Sequence, residues 1–232
     1  MPVFLNMRRK PTHYTICGKT DGFGAQYQAI MSGIAYCAAK GLTYVHTPPT
    51  HMDHTTNIGA LNTFIGVTTP QSSQIAIIRK PFAAEVHNSP RPSLYYTPAV
   101  RQTLKDYYYS TAKPPIDDVD IAIHIRRGDV RSGDSKRYTT NDTYRQVIDE
   151  LQQKYPGRTI TIFSEGDPTD FREFPVKLGL NLDIQTTFHS LVMAKVLVTA
   201  KSSFSYASAI LNDNTIYYMD FWHKPLDHWL RI

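Results

Sequence analysis

Three short stretches of this chain carry side chains suited to holding an anion. The first is His124-Ile125-Arg126-Arg127-Gly128-Asp129. The planar guanidinium fork of arginine matches the oxygens of a phosphate, and a neighbouring glycine permits a sharp turn. The second is Ser202-Ser203-Phe204-Ser205, just ahead of an apolar run. Serines at a helix start set hydroxyls beside unpaired amides, where the helix dipole favours negative charge; the same serines also serve as plain N-caps. The third is Asp21-Gly22-Phe23-Gly24-Ala25-Gln26, whose two glycines let backbone amides approach an anion closely. Two other groups invite a metal reading. Asp118-Val119-Asp120 spells Asp-x-Asp, but it precedes an apolar run instead of following one, so a solvated strand entry is expected. His51, Asp53 and His54 share a Thr-rich loop with no fourth ligand nearby, and solvated loop histidines are the better account. No metal is expected.

These residues need elements to position them. Ile121, Ala122, Ile123 and Ile125 read as a buried strand. Arg126 then sits at its carboxyl end, where open α/β sheets bind ligands. Arg127 falls on the opposite face, with a structural ion pair expected, and Asp129 is expected to orient the arginine loop. A strand over 14–19 feeds the glycine loop, and a helix over 25–40 stops at Gly41. Further strands are expected over 42–46, 74–78, 158–164, 180–185, 196–199 and 215–219. Helices are expected over 58–65, 98–112, 141–155 with Asn141 as N-cap, 188–195 and 202–211. Residues 81–98 read as loop, 130–140 as an active-site loop, and Lys113-Pro114-Pro115 as a break. Alternating strands and helices imply an α/β protein of two Rossmann-like halves, 1–112 and 113–232.

Composition narrows the function. The chain has 232 residues, 41% of them apolar and 19% charged, which is enough for a packed core. Its net charge is +5, with the basic residues scattered. That pattern fits a small anionic ligand and no nucleic-acid partner. No stretch approaches the roughly 18 apolar residues of a membrane helix, and no leader pattern follows Arg8-Arg9-Lys10. A soluble, cytoplasmic protein is expected. Cys17 and Cys37 lack metal-ligand spacing and read as buried free thiols.

The hydrophobic strand followed by His-x-Arg-Arg-Gly-Asp resembles the signature of the GT-B fucosyltransferases, the α1,2-, α1,6- and protein O-fucosyltransferase group. The strand, Ser-Ser-Phe-Ser and helix over 196–211 is similar to the C-terminal motif of the α1,2 enzymes. Gly-Phe-Gly-Ala-Gln resembles their Gly-x-Gly-Asn-Gln loop, with Ala25 where Asn is usual. The resemblance covers scattered blocks over most of the chain. It implies a GT-B-like fold with the donor site in the cleft, an N-terminal acceptor half and a C-terminal donor half. It also implies a GDP-fucose donor, a glycan or protein acceptor, and no metal. Gly22, Phe23, Gly24, His124, Arg126, Ser202, Ser203 and Phe204 would then hold the donor. His51 or His54 would face the acceptor. Fifteen residues before the serine pair, the Asp that usually binds guanine is replaced by Thr187, so Thr187, Asp183 or backbone would hold the base.

The implied reaction is a single inverting displacement at the sugar's anomeric carbon. Arg126 and the Ser203 helix end would stabilise the leaving diphosphate. Asp134, in the loop after Asp129, is the candidate general base; a solvated loop carboxylate is the competing reading. A nucleotide-sugar- or glycan-binding module without turnover is the alternative, and a flavodoxin-like phosphate-binding domain is a third reading.

Overall fold

A computed structural model describes residues 12–69, 77–130, 132–134 and 136–232. Its first half is built on strand β1 (His13–Ile16), which leads into helix α1 (Phe23–Lys40). Gly41 ends α1 in the left-handed conformation, its N–H returning to the Cys37 carbonyl. Strand β2 (Thr43–Tyr44), helix α2 (Ile58–Ile65) and strand β3 (Ile77–Lys80) follow. β1 pairs in parallel with both β2 and β3. The first residues of the strand expected over 74–78 lie outside the described residues. The stretch 81–98 is not all loop: it holds a short helix, α3 (Ala84–His87), and a 3₁₀ turn at Pro92–Leu94. Its prolines sit at the turn starts and leave room for that one helical turn. Helix α4 (Pro98–Tyr109) is capped by Thr97, whose side chain accepts from Val100 N–H.

The second half begins with the all-buried strand β4 (Ile121–His124). Helix α5 (Asn141–Lys154) and strand β5 (Ile160–Ser164) come next. Thr140, not Asn141, caps α5, because the Asn141 side chain is engaged elsewhere. Strand β6 is Lys177–Leu180 and helix α6 is Ile184–Met193. Residues 184 and 185, expected in a strand, thus open a helix, because Asp183 caps it by accepting from Thr186 N–H. Strand β7 (Val196–Val198), helix α7 (Ser203–Leu211) and strand β8 (Thr215–Tyr218) follow. A two-residue strand, β9 (Leu230–Arg231), lies in the tail.

The six strands of this half are all parallel, in the order β6-β5-β4-β7-β8-β9. Counted within the half, that is 3-2-1-4-5-6, whose direction reverses between β4 and β7. Arg126 follows β4 and Ser202 follows β7, so both lie at this switch point. Two apolar clusters form the interior. One, with Ile121, Ile123, Tyr144, Ile148 and Val198, belongs to the second half. The other runs through both halves, joining Tyr27, Ile30 and Phe64 to Phe188, Leu197 and Tyr206. Cys37 is buried and free; Cys17 is only partly buried, because it lies one residue past the end of β1. No helix among the described residues is long and apolar enough to cross a membrane.

Candidate functional site

A cavity of about 630 Å³ opens where the carboxyl ends of β4 and β7 face the start of α1. It collects Gly22, Phe23, Gly24, His124, Arg126, Thr187, Ser202, Ser203 and Phe204. Residues up to 182 positions apart in sequence thus share one surface. Asp134 and Asp183 do not line it. Asp134 turns into its own loop, accepting from the backbone N–H groups of Lys136 and Arg137, each at 3.2 Å. Asp183 is spent on capping α6.

Two helix starts converge on the cavity. Ser202 caps α7, accepting from Phe204 N–H at 3.2 Å. Gly22 caps α1 without a side-chain bond. Both dipoles aim their positive ends at the same space, which suits an anion. Gly24 is what lets them approach: a Cβ there would stand 2.5 Å from Phe204 Cα and 2.6 Å from its N. The glycine loop is therefore a helix-packing device as well as an open backbone. Gln26 ties the loop down, its Nε2 donating to the carbonyls of Asp21 and His51.

The arginine pair divides as the alternation of side chains predicts, with one correction. Arg126 is part-exposed in the cavity and grips Asp129 with both ends of its fork, Nη2–Oδ2 at 2.6 Å and Nε–Oδ1 at 3.2 Å. Burial opposes charge on Asp129, but Arg126 outweighs it and holds the carboxyl below the ordinary range. Arg127 is buried and makes no ion pair among the described residues. It donates to the Thr139 carbonyl at 2.9 Å and to Asn141 Oδ1 at 2.6 Å, and its guanidinium lies 4.3 Å from the Tyr138 ring centre. The neutral acceptors suffice because the loop 138–141 closes directly over it. Gly128 lies between the pair and Asp129 at φ +75°, with Glu165 close behind.

His124 completes the floor. It is buried against the Phe204 ring, its Nδ1 has no hydrogen-bond partner among the described residues, and burial together with Arg126 pushes its pKa down to about 3. The imidazole is thus neutral, with Nδ1 enclosed in the cavity floor. Other lining residues had weaker sequence signals or none: Lys19, His54, His87, Glu165, Trp222 and His223. His54, considered for the acceptor side, lines the cavity with φ +65°, uncommon for a residue with a side chain. His51 pairs with Asp53 at 3.2 Å. No three His, Cys, Asp or Glu side chains gather as a metal cluster among the described residues. Asp118 and Asp120 lie at the amino end of β4, paired with Lys195 and Arg158.

No family model matches the chain, and no curated protein sequence matches it. Solved structures do. A point mutant of Arabidopsis thaliana FUT1 in complex with GDP aligns over 97% of this chain and 73% of its own, at 12% identity and a TM-score of 0.50. E. coli heptosyltransferase WaaC with ADP-2-deoxy-2-fluoro heptose aligns over 95% and 92%, at 13% identity and a TM-score of 0.48. The fucosyltransferase NodZ from Bradyrhizobium aligns over 91% and 95%, at 10% identity and a TM-score of 0.42. The likeness to the FUT1 mutant, at a TM-score of 0.50, concerns the fold alone: two α/β halves with parallel sheets, in the GT-B manner.

Proposed function

We propose that this chain is a metal-independent, inverting glycosyltransferase that moves fucose from GDP-fucose to a glycan or protein hydroxyl. The observation carrying this reading is the meeting of two helix N-termini and Arg126 in one cavity at the sheet's switch point. Such a site holds a diphosphate by amide dipoles and one guanidinium, without needing a cation. The acceptor oxygen attacks the anomeric carbon and forms the new C–O bond. The bond to the diphosphate breaks, its electron pair leaves with the nucleotide, and the acceptor proton passes to a base. Positive dipoles fixed where the leaving charge develops lower the barrier. Asp129 keeps the Arg126 fork aligned until phosphate oxygens compete for it. Leu182, Ile184 and Thr187 offer the base an apolar wall and one hydroxyl.

A binding module without turnover is the second reading. It is favoured by the position of Asp134 outside the cavity and by the pairing of Asp21 with Lys19 at 2.6 Å. The deciding experiment measures melting-temperature shifts with GDP, UDP and ADP, each with and without EDTA, and then GDP-fucose turnover with glycan and peptide acceptors. Ligands that bind the native state raise its melting temperature by mass action. GDP should give the largest shift, EDTA should not diminish it, and turnover should follow. A larger UDP or ADP shift overturns the donor assignment, a metal-dependent shift overturns the metal-free reading, and GDP binding without turnover selects the module.

A further inference from the structure

The rim of the cavity holds a side chain that the donor reading leaves unused. Trp222 lines the same cavity as Arg126 and Ser203, yet it is 49% exposed. The only other tryptophan of the chain, Trp229, is 5% exposed. A large indole left in water forgoes much hydrophobic stabilisation. Trp222 is also held in place. Its Nε1 donates to Nε2 of the buried His223 at 3.0 Å, and His223 Nδ1 lies 3.2 Å from the carbonyl of His87, in the first half. Burial, with His87 alongside, keeps the His223 imidazole neutral, so it can accept at Nε2 while donating at Nδ1. Phe221 packs beside the indole, with ring centres 4.9 Å apart. The result is a rigid apolar plate at the mouth of a polar cavity.

Its place along the sheet separates it from the base wall. Leu182 and Ile184 follow β6, whereas Trp222 follows β8. Strands β5, β4 and β7 lie between, so the two strand axes are about 19 Å apart at roughly 4.8 Å per step. The anion-holding residues lie between them: Arg126 after β4 and Ser202 and Ser203 after β7. A nucleotide sugar with its base at the β6 side points its far end toward Trp222. Polar groups share the cavity with the indole: Arg137 stands 5.9 Å from the ring, and Asp21 and His54 line the same space. A flat apolar face ringed by hydrogen-bonding groups complements a pyranose, which has an apolar C–H face and a rim of hydroxyls. Preorganised binding sites lose little entropy on occupation.

We propose that Trp222 is the stacking platform of an acceptor subsite for a neutral saccharide; this rests on the donor reading above. The test uses the full chain and acrylamide quenching of tryptophan fluorescence, to which the exposed Trp222 is the main contributor. The probes are GDP, lactose, chitotriose and a Ser/Thr-containing peptide, each alone and with GDP. The expected result is that an oligosaccharide shields the indole at least twofold and GDP alone does not. Trp222→Ala should weaken oligosaccharide binding at least tenfold with GDP affinity kept, and Trp222→Phe should restore part of it. Shielding by GDP alone, shielding by the peptide alone, or unchanged oligosaccharide affinity in Trp222→Ala overturns the proposal. If GDP stabilises the protein but no saccharide shields Trp222, the platform fails and the donor reading stands. If a saccharide shields it and no nucleotide binds, the donor reading fails and the platform stands.

Discussion

Strand β4 carries charged residues at both ends, and the two ends behave differently. At its amino end Asp118 and Asp120 meet Lys195 and Arg158 in the open, and each charge finds a partner on the surface. At its carboxyl end His124 and Arg127 are buried, Arg127 under the loop 138–141, while half-buried Arg126 pairs with Asp129 at the turn that Gly128 makes beside the cavity. Charge in water is cheap to keep and contributes little when paired. Charge removed from water must be fully partnered or remain available to a ligand. A motif therefore takes its meaning from which end of the strand it occupies. Asp-x-Asp at the amino end is a solvated clasp, while Arg-Arg-Gly-Asp at the carboxyl end frames a cavity.

The largest expected difference between the ends appears on mild acidification. Around the cavity at the carboxyl end, His87 is held near pKa 4, and His124 and His223 near 3, by burial. Their folded values lie below the unfolded value of about 6.5, so the unfolded chain takes up protons first. Stability is then full above pH 6.5 and declines as pH falls toward 3. Between pH 7 and 5, one such histidine costs about 2 kcal/mol, and the three together cost several. At the amino end, the hydrogen bond from Lys195 holds the Asp120 carboxyl below the ordinary range, so it stays ionised over that window. A melting temperature that is flat from pH 7 to 5 would contradict the enclosed character of the carboxyl end.

Arg127→Ala comes next. It strands the Thr139 carbonyl and Asn141 Oδ1 and removes the stack on Tyr138, so a loss of about 3 kcal/mol is expected. For a chain of this length that lowers the melting temperature by roughly 6–12 °C. GDP affinity, measured by titration below that temperature, should change much less. Arg126→Ala reverses the pattern: at least about a tenfold weaker Kd for GDP with a small change in melting temperature. Lysine at 126 should recover only part of the affinity, since a point charge lacks the fork. Equal affinity in a folded Arg126→Ala protein would take the β4 end out of the donor site. Asp118→Asn should do least, shifting the melting temperature by no more than about 1 °C and nucleotide binding not at all.

What was legible in the sequence was local. The apolar run of β4, the serine-capped start of α7 and the Gly41 stop of α1 are each written in a few adjacent residues. The strand-end rule then put Arg126 and Ser203 at the cavity before any contact was known. What was hidden depended on distant partners. Gly24 reads as a loop glycine, but its tightest neighbour is Phe204, 180 positions away. Asp134 and Asp183 look like free carboxylates, yet nearby backbone N–H groups capture both. β6, with the short run Lys177-Leu178-Gly179-Leu180 at the sheet edge, has too little apolar signal to mark its ends. The Trp222–His223–His87 tether needs both halves in place before it exists.

The contact between Gly24 and Phe204 has a mechanical consequence. Domain closure usually works through a hinge whose faces slide or part. Here the first turns of α1 and α7 touch with no room for a methyl group between them, and one apolar cluster continues through both halves. Parting the halves would expose that cluster to water, so the cleft behaves as a welded jaw of fixed gape. A ligand must then fit the cavity at the gape it already has, with no contribution from rigid-body rocking of the halves.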